Sequence, residues 1–314
     1  MKAKISNIVF TKNRPLQLEG YLKSLYQNLP ADSLKTYIIW KEQLFTEQYQ
    51  QLFNEYKDLE VVREKEFSSD FLKILESLDT KYLLFGIDDV VFFGSVKLEI
   101  IDKTFEEKSD EIFGFSLRLD KNNIREDSES AGEENIDGEQ VYKIDWTKGR
   151  SPLTRYPLEL CATIYRTELV KKIIVESRNK NPFINKIFSP CSILTKGLKI
   201  TGLSRKVLKK FGFFYGPNTL ESWNCRWCQL NAHKLPHFLY FQKICASALQ
   251  INLVNITTRS SKKTAAENTV AALNEKYKQG YRLDIDYIKS NKPTQTHCGY
   301  EYFKLIKRAE ADKP

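Results

Sequence analysis

Long hydrophobic runs are missing from this 314-residue sequence. A helix that spans a membrane needs about 18 or more consecutive apolar residues, and no window of the chain approaches that length. The first residues, MKAKISNIVFTKNRP, have a basic start but only a short apolar run. They lack the hydrophobic core and the small-residue cleavage site of a signal peptide. We therefore expect no spanning helix, and we interpret the chain as cytoplasmic.

Motifs that bind nucleic acid or cradle phosphates are missing as well. The chain has no recognised nucleic-acid-binding motif, and we expect no nucleic-acid partner. A nucleotidyltransferase normally has a Gly-rich phosphate loop with a Lys near its N-terminus, and TKNRPLQLEG is not such a loop. That enzyme class, which can share a doubly wound sheet and an acidic metal site, stays open as an alternative. So does a binding protein that keeps the fold without turnover.

Histidine is scarce, and the cysteines favour packing. His233, His237 and His297 are the three histidines, and we interpret each as structural rather than catalytic. The six Cys of this chain are best interpreted as reduced thiols. Cys225 and Cys228 precede His233 and His237 with the spacing C-x2-C-x4-H-x3-H, which is close to a small zinc-binding pattern. The stretch WNCRWCQLNAHKLPHF is rich in Trp, Cys and Leu, so a buried helix and a turn are favoured over zinc.

Charge is plentiful but unevenly distributed. The 49 Lys and Arg exceed the 40 Asp and Glu, which gives a formal net charge of +9. Residues 125–139 are strongly acidic, and we expect residues 121–150 to form a long surface excursion near the site, with a short returning strand at VYKIDW. Residues 171–210 are strongly basic. They form either a solvated face or a surface that attracts anionic lipid or phosphates, which suits a peripheral protein at the inner membrane face.

Strands and helices alternate from residue 5 to residue 93. The apolar runs ISNIVFT, TYIIW, LEVV and KYLLFGI suit buried strands, and the segments that follow the first three have helical spacing, with Pro15 suited to the first turn of a helix. Such alternation predicts an α/β fold with a mostly parallel sheet and helices on both faces. Functional side chains in such sheets gather beyond the carboxyl ends of the strands.

Two adjacent carboxylates, Asp88 and Asp89, emerge where the apolar run LLFGI ends. We therefore expect both side chains at the crevice of the sheet. Unpaired neighbouring carboxylates repel each other, and a hard divalent ion such as Mg²⁺ or Mn²⁺ relieves that repulsion while bridging to substrate phosphates. Helix capping or a solvated turn is the structural alternative for this dipeptide.

Two of these segments resemble a known family. ISNIVFTKNRPLQLEGYLKSL resembles the opening of family 2-type glycosyltransferases with the GT-A fold, and KYLLFGIDDVVFF resembles the segment that carries their metal-binding Asp-x-Asp motif. FGFSLRLDKNN and YPLELCATIYRTELV resemble later segments of bacterial sugar transferases of this type. The chain departs from the family pattern in having Ile-Asp-Asp-Val instead of a full Asp-x-Asp.

The resemblance implies site residues and ligands. Thr11, Asn13 and Arg14 would line the nucleotide pocket, and Glu42 would meet the base or the ribose. Asp88 and Asp89 would hold Mn²⁺ or Mg²⁺ and, through it, the diphosphate of a nucleotide sugar. The departure leaves two options open: either Asp89 alone binds the metal while Asp88 meets the ribose or the sugar, or the metal site is weakened.

Sugar transfer from a nucleotide also needs a general base and positive charge near the leaving group. Glu221 in GPNTLESW is the first candidate base, because it follows a turn and begins a helix, and Glu159 in YPLEL is the second. Arg118, flanked by apolar residues in FSLRLD, either points away from them or pairs with a carboxylate, which would place it near the diphosphate or the acidic pair.

The sequence as a whole predicts a glycosyltransferase. We expect a GT-A-like domain over residues 1–255, with a nucleotide-binding half (1–120) and an acceptor half (121–255), and a C-terminal helical or extended arm (256–314) packed on the core. The expected donor is a nucleotide sugar, and the acceptor is a glycan or a lipid-linked molecule of bacterial surface polysaccharide synthesis.

Overall fold

A computed structural model describes residues 3–124, 127, 131–178, 214–252 and 265–308. Helices and strands alternate through the first third of the chain, as the sequence predicts. The strands are β1 (Ile5–Thr11), β2 (Leu34–Trp40), β3 (Leu59–Arg63), β4 (Tyr82–Ile87), β5 (Val90–Phe92), β6 (Ile112–Ser116), β7 (Ala131–Ile136), β8 (Glu139–Asp145), β9 (Thr163–Arg166), β10 (His237–Phe241), β11 (Ala246–Leu249), β12 (Tyr281–Leu283), β13 (His297–Cys298) and β14 (Leu305–Lys307). The helices are α1 (Pro15–Asn28), α2 (Thr46–Glu55), α3 (Phe67–Ser77), α4 (Leu98–Glu107), α5 (Thr167–Ser177), α6 (Pro217–Asn231), α7 (Val270–Lys278) and α8 (Ile285–Asn291).

A nine-stranded sheet forms the centre of the fold, with the strand order β3-β2-β1-β4-β9-β6-β10-β8-β7. Neighbours from β3 to β4 are parallel, as are β6 and β10. β9 runs antiparallel to β4 and β6, and β8 runs antiparallel to β10 and β7. Every strand except β9 and β8 therefore points in one direction, which confirms the predicted mostly parallel α/β sheet.

Helices cover both faces of this sheet, and β1 is therefore buried on both sides along its whole length. Its side chains alternate between two cores: Val9 packs with Leu22 of α1 and Ile101 of α4, and Phe10 packs with Phe71 of α3 and Ile174 of α5. Such burial explains why the ISNIVFT run is nearly continuous in apolar residues instead of alternating with polar ones.

From residue 131 onward, the acidic stretch is more regular than the sequence suggests. We expected a surface excursion there, but β7 and β8 form a hairpin that extends the sheet, and β8 contains most of the predicted returning strand. Charge pairs hold this polar edge: Glu134 of β7 contacts Lys143 across the hairpin and Lys108 beyond α4, and Glu133 contacts Lys121. Charged side chains on an edge strand also discourage pairing with other chains.

The described residues from β11 onward pack back on the first 120 residues of the chain. β11 pairs with β5 on one side and with β13 on the other. α7 and α8 add Leu273 and Ile288 to a third core that includes Leu16 of α1. Beneath them, Glu19 of α1 is buried and forms an ion pair with Arg282 of β12. This segment is therefore attached through both apolar packing and a buried charge pair.

Most of the basic region at residues 171–210 lies outside the described residues, which end at 178 and resume at 214. The lipid-contact interpretation of that region therefore stays a prediction. Within the described ranges, every helix is too short or too polar to cross a bilayer.

Candidate functional site

The acidic pair occupies the turn between β4 and β5. β4 ends at Ile87, and Asp88 and Asp89 follow before the chain enters β5. β4 is parallel to β1, so the pair lies beside the end of β1 at Thr11 and the turn that follows it. The Thr11 hydroxyl donates a 2.9 Å hydrogen bond to Asp88 Oδ2, and the Lys12 backbone N–H donates one of 3.3 Å to the same oxygen. The carboxylates therefore lie at the carboxyl ends of β1 and β4.

A single arginine joins the two carboxylates. Arg14, from the turn between β1 and α1, contacts Asp88 Oδ1 through Nη2 and Asp89 Oδ2 through Nη1, the latter at 2.9 Å. Burial alone would lower the pKa of Arg14, but the charges of Asp88 and Asp89 outweigh it and raise that pKa. Burial raises the pKa of Asp88, and the guanidinium of Arg14 opposes that effect. The cation that relieves the repulsion of this pair is therefore a side chain of the protein itself.

The turn that carries Arg14 is fixed by side-chain hydrogen bonds. Asn13 has a left-handed backbone (φ 57°), a conformation that Asn tolerates better than most residues. Its side-chain oxygen accepts from the Leu44 N–H at 3.1 Å. The Tyr49 hydroxyl of α2 lies 2.7 Å from the Thr11 hydroxyl and accepts a 2.9 Å hydrogen bond from the Arg14 N–H. Tyr49 was not identified from the sequence, because nothing in its helical context marks it.

Glu42 follows β2, at the same edge of the sheet. Its carboxylate pairs with Arg63 at the end of β3 and accepts a 2.9 Å hydrogen bond from the Thr46 hydroxyl. The Lys41 N–H, next to it, donates to the Thr11 carbonyl at 3.0 Å, so the end of β2 adjoins the end of β1. Glu42 thus lies next to the residue that contacts the end of β1, and its carboxylate is engaged by Arg63.

A second charged cluster lies on the neighbouring strands β6 and β9. Arg118, just past β6, is 4% exposed and forms an ion pair with Glu159. The hydroxyl of Thr163, at the start of β9, donates to the other oxygen of Glu159. Arg118 also donates to the Thr296 carbonyl of the C-terminal segment at 3.4 Å. Of the two orientations expected for Arg118, the structure has the one that pairs with a carboxylate.

Glu221, in the second turn of α6, is held against this cluster. Its Oε1 accepts a 3.0 Å hydrogen bond from the Leu160 N–H, in the chain segment that carries Glu159. Burial raises the pKa of Glu221 to about 7; the Leu160 N–H opposes that effect and the charge of Glu159 adds to it. Tyr156 lies beside the same carboxylate, and burial followed by the charge of Glu221 raises the pKa of its phenol. A carboxyl group that titrates near neutral pH is suited to proton transfer.

β11 and the residue before His297 link the two clusters: the Leu249 N–H donates to the Asp89 carbonyl at 2.8 Å, and the Ala248 N–H donates at 3.0 Å to the Thr296 carbonyl, which also accepts from Arg118. Burial raises the pKa of the Cys161 thiol well above its ordinary value, while Arg118 opposes this effect and Glu221, Glu159 and Asp89 add to it. His297 is exposed at one side of these residues, and loss of solvation on the other side, followed by the charge of Arg118, lowers its pKa against the charges of Glu159 and Asp89. His297 therefore lies at the rim of the site, a position that sequence reasoning missed because the residue is far away along the chain.

The expected divalent ion needs oxygen ligands that are not already engaged by other side chains. Both oxygens of Asp88 are engaged, by Arg14 on one side and by Thr11 and Lys12 on the other. Asp89 is 15% exposed, and its Oδ1 accepts no hydrogen bond from any described residue. The described ranges contain no cluster of three or more His, Cys, Asp or Glu side chains arranged to hold a metal. Asp89 alone therefore fits a cation that takes its other ligands elsewhere.

The cysteines and histidines with the zinc-like spacing pack against, or pair with, other side chains in the described structure. Cys225 and Cys228 lie in α6 and are buried, Cys228 within the core beneath the sheet. His233 stacks on Trp146 at 5.9 Å between ring centres, and His237 starts β10 beside Glu111. Burial raises the pKa of the Cys228 thiol, which disfavours the thiolate that zinc needs.

Similarities to known proteins agree with the family resemblance. No protein-family model matches the chain. Over 197 residues it is 21% identical to the bifunctional glycosyltransferase pgtA of Dictyostelium discoideum, a match that covers 53% of this chain and 24% of pgtA. The chain therefore spans about a quarter of the length of that relative. The match confirms the resemblance to glycosyltransferases.

Solved structures of S. aureus TarS are also similar to part of the chain. One crystal structure of TarS is 18% identical and covers 54% of this chain and 29% of that chain, with a TM-score of 0.38. A crystal structure of TarS 1–349 in complex with UDP-GlcNAc is 20% identical and covers 54% of this chain and 47% of that chain, with a TM-score of 0.37.

Proposed function

We propose that this protein is a glycosyltransferase that moves a sugar from a nucleoside diphosphate to a hydroxyl acceptor. The observation that carries the proposal is that β11 links the acidic pair to the cluster with the base candidates. The Leu249 N–H donates to the Asp89 carbonyl at 2.8 Å, and the Ala248 N–H donates to the Thr296 carbonyl, which also accepts from Arg118, the partner of Glu159. A donor diphosphate beside Asp89 would then lie near a carboxyl group that titrates around pH 7. The similarity to pgtA supports the same reaction class.

Glu221 is the proposed general base. In the transfer step the acceptor hydroxyl oxygen attacks the anomeric carbon of the donor sugar, and its proton passes to the Glu221 carboxylate. The bond between that carbon and the diphosphate oxygen breaks, and the diphosphate leaves with the electron pair. Glu159 is less suited to this task, because its two oxygens are held by Arg118 and Thr163. We assign Glu159 the role of positioning Arg118.

Donor binding is assigned to the β1–β4 edge of the crevice. Thr11, Asn13 and Arg14 form the turn beside the nucleotide, and Glu42 lies at the outer end, where the base or ribose would bind. Asp89 would hold Mn²⁺ or Mg²⁺, which supplies positive charge to the leaving diphosphate. Arg118 supplies further positive charge from the side of β6.

The finer assignments rest on the resemblance and on charge. They comprise a glycan or lipid-linked acceptor, a role in bacterial surface polysaccharide synthesis, and a cytoplasmic protein that touches the inner membrane face. Flotation with liposomes tests the last assignment. The protein is expected to float with anionic vesicles and to remain at the bottom with neutral ones. Equal failure with both kinds of vesicle contradicts membrane association.

One assay tests the reaction class. The protein is incubated with a panel of nucleotide sugars and Mn²⁺, and the slow release of free nucleoside diphosphate is measured. Release with one donor, lost in Glu221→Gln and kept in Glu76→Gln on the exposed face of α3, supports transfer. Release of pyrophosphate instead indicates a nucleotidyltransferase. Absence of both products with every donor indicates a protein that keeps the fold without turnover.

A further inference from the structure

The acidic pair does not present two free carboxylates to the crevice. Arg14 is 6% exposed and contacts both Asp88 and Asp89 through separate nitrogens of one guanidinium. Asp88 is 1% exposed and has both of its oxygens engaged. Two negative charges and one positive charge therefore leave a single formal negative charge, and the carboxylate with an oxygen left over is that of Asp89.

Arg14 is also held so that it cannot easily swing away from the pair. Its backbone N–H donates to the Tyr49 hydroxyl, and its Nη1 donates to the Asn252 carbonyl at 3.3 Å. Asn252 is itself buried and accepts a 3.4 Å hydrogen bond from Gln17 of α1 through its side chain. The guanidinium is thus held from two sides, by the acidic pair and by the segment after β11, and α2 holds the backbone of the same residue.

We propose that Arg14 reduces the acidic pair to a one-carboxylate cation site at Asp89, so that a divalent ion binds only together with the diphosphate of a nucleotide. The nucleotide part of this inference rests on the proposed function, whereas the effect of Arg14 on metal binding does not. Arg14 is a positioning and specificity-determining residue in this scheme, because it decides which carboxylate the ion meets.

The coordination chemistry of the ion supports this order. Mg²⁺ and Mn²⁺ prefer about six oxygen ligands, and a single carboxylate supplies too few to compete with water. A guanidinium 2.9 Å from Asp89 Oδ2 also repels a second cation. Two diphosphate oxygens add both ligands and negative charge, and the complex then has favourable electrostatics. Removing the guanidinium charge leaves two adjacent carboxylates, which is the arrangement that binds the ion without help.

The first experiment uses the unmodified protein and Mn²⁺ as the probe. The free Mn²⁺ signal in electron paramagnetic resonance reports binding directly and needs no activity. We expect the signal to stay unchanged with protein alone, and to fall further with protein and UDP or GDP together than with the same nucleotide in the absence of protein. Asp89→Asn should abolish this further fall, and Asp88→Asn should keep it. Binding of Mn²⁺ to the unmodified protein without nucleotide would overturn the proposal.

The second experiment removes the guanidinium. Arg14→Met should bind Mn²⁺ without nucleotide at least about tenfold more tightly than the unmodified protein, a difference of about 1.4 kcal/mol. Arg14→Lys keeps the positive charge and should not bind Mn²⁺ in the absence of nucleotide. Adding Asp89→Asn to Arg14→Met should abolish the gain. A folded Arg14→Met variant that gains no affinity for Mn²⁺ contradicts the inference.

Failure of the proposed function gives a different pattern. If the protein is not a glycosyltransferase, UDP and GDP lower the Mn²⁺ signal no further with the unmodified protein than without it, but Arg14→Met still gains Mn²⁺ affinity. Arg14→Met also leaves Asp88 as a buried charge without its partner, so its folding is checked by thermal melting. If that variant does not fold, the contrast between Asp88→Asn and Asp89→Asn with UDP and GDP still decides which carboxylate meets the ion.

Discussion

Glu221→Gln separates the proposed base from a structural carboxylate, because activity and stability should change in opposite directions. The side chain is partly buried in α6, and burial raises its pKa from the ordinary 4.5 to about 7. The amide oxygen of Gln can accept the same hydrogen bond from the Leu160 N–H. The substitution therefore removes a proton acceptor and a poorly solvated charge while keeping the local packing.

The magnitude follows from proton linkage. A pKa that is higher in the folded protein than in the unfolded chain means that the folded state binds the proton more tightly. The stability from this group is fully present below pH 4.5 and is lost as the pH rises through about 7. One pKa unit corresponds to about 1.4 kcal/mol, so the loss is at most about 3 kcal/mol, and closer to about 1 kcal/mol if solvent reaches the carboxylate.

Thermal melting and donor turnover measure the two effects. At pH 8, Glu221→Gln should melt about 2 to 5 °C above the unmodified protein, and the difference should vanish near pH 4. Release of nucleoside diphosphate by the unmodified protein should rise with pH, with a midpoint near 7, and should fall by about 10²- to 10⁴-fold in the variant. The exposed substitution Glu76→Gln should change neither quantity. Equal turnover in Glu221→Gln and the unmodified protein refutes the assignment of the base.

Three further substitutions test the support around the site. Glu159→Gln leaves Arg118 buried without its partner and should cost about 3 to 5 kcal/mol of stability in chemical denaturation; a loss below 1 kcal/mol means that solvent reaches the pair. Tyr49→Phe removes the hydroxyl that contacts Thr11 and the Arg14 N–H and should cost about 1 to 3 kcal/mol, with weaker nucleotide binding by calorimetry. Unchanged nucleotide affinity would mean that the turn after β1 does not contact the nucleotide. Arg282→Met leaves Glu19 buried without this ion pair and should speed amide hydrogen exchange in α7 and α8, whereas exchange in β1 serves as the unchanged reference.

The position of the acidic pair could be predicted from the sequence, because it depends on a regular feature of parallel sheets. Apolar runs end where strands leave the core, and the ends of parallel strands share one edge. Thr11, at the end of β1, therefore lies beside Asp88, at the end of β4, although 77 residues separate them. The same reasoning predicted that polar side chains would gather there, but it did not determine which of them would pair.

The pairing itself depends on side-chain geometry that the sequence pattern does not contain. Asp88 and Asp89 seemed to need an added cation, because no basic residue lies within their strand segment. The cation is Arg14, from a turn 75 residues away that the α2 hydroxyl of Tyr49 holds in place. Strand β7, which pairs with the predicted strand β8 to form the edge hairpin, was missed for a related reason. Its polar residues give little strand signal, and the stabilising contacts, such as Glu134 with Lys143, form only across the two strands.

The charges of the whole crevice connect the base to donor binding. The two clusters contain more acidic than basic side chains: Asp88, Asp89, Glu159 and Glu221 face Arg14 and Arg118. A free nucleoside diphosphate brings further negative charge, and repulsion between these like charges weakens its binding in a partly buried site. Ionisation of Glu221 adds one more negative charge as the pH rises through about 7.

We therefore expect the affinity for UDP in the absence of divalent ions to fall between pH 6 and pH 8, and to stay level over that range in Glu221→Gln. Mn²⁺ should restore the affinity of the unmodified protein at pH 8, since the ion offsets the charge that Glu221 gains. Calorimetric titration with UDP, with and without Mn²⁺, measures all of these affinities. A fall of equal size in Glu221→Gln would assign the pH dependence to the phosphate groups of the nucleotide, and Glu221 would then lie too far from the diphosphate to act on the sugar attached to it.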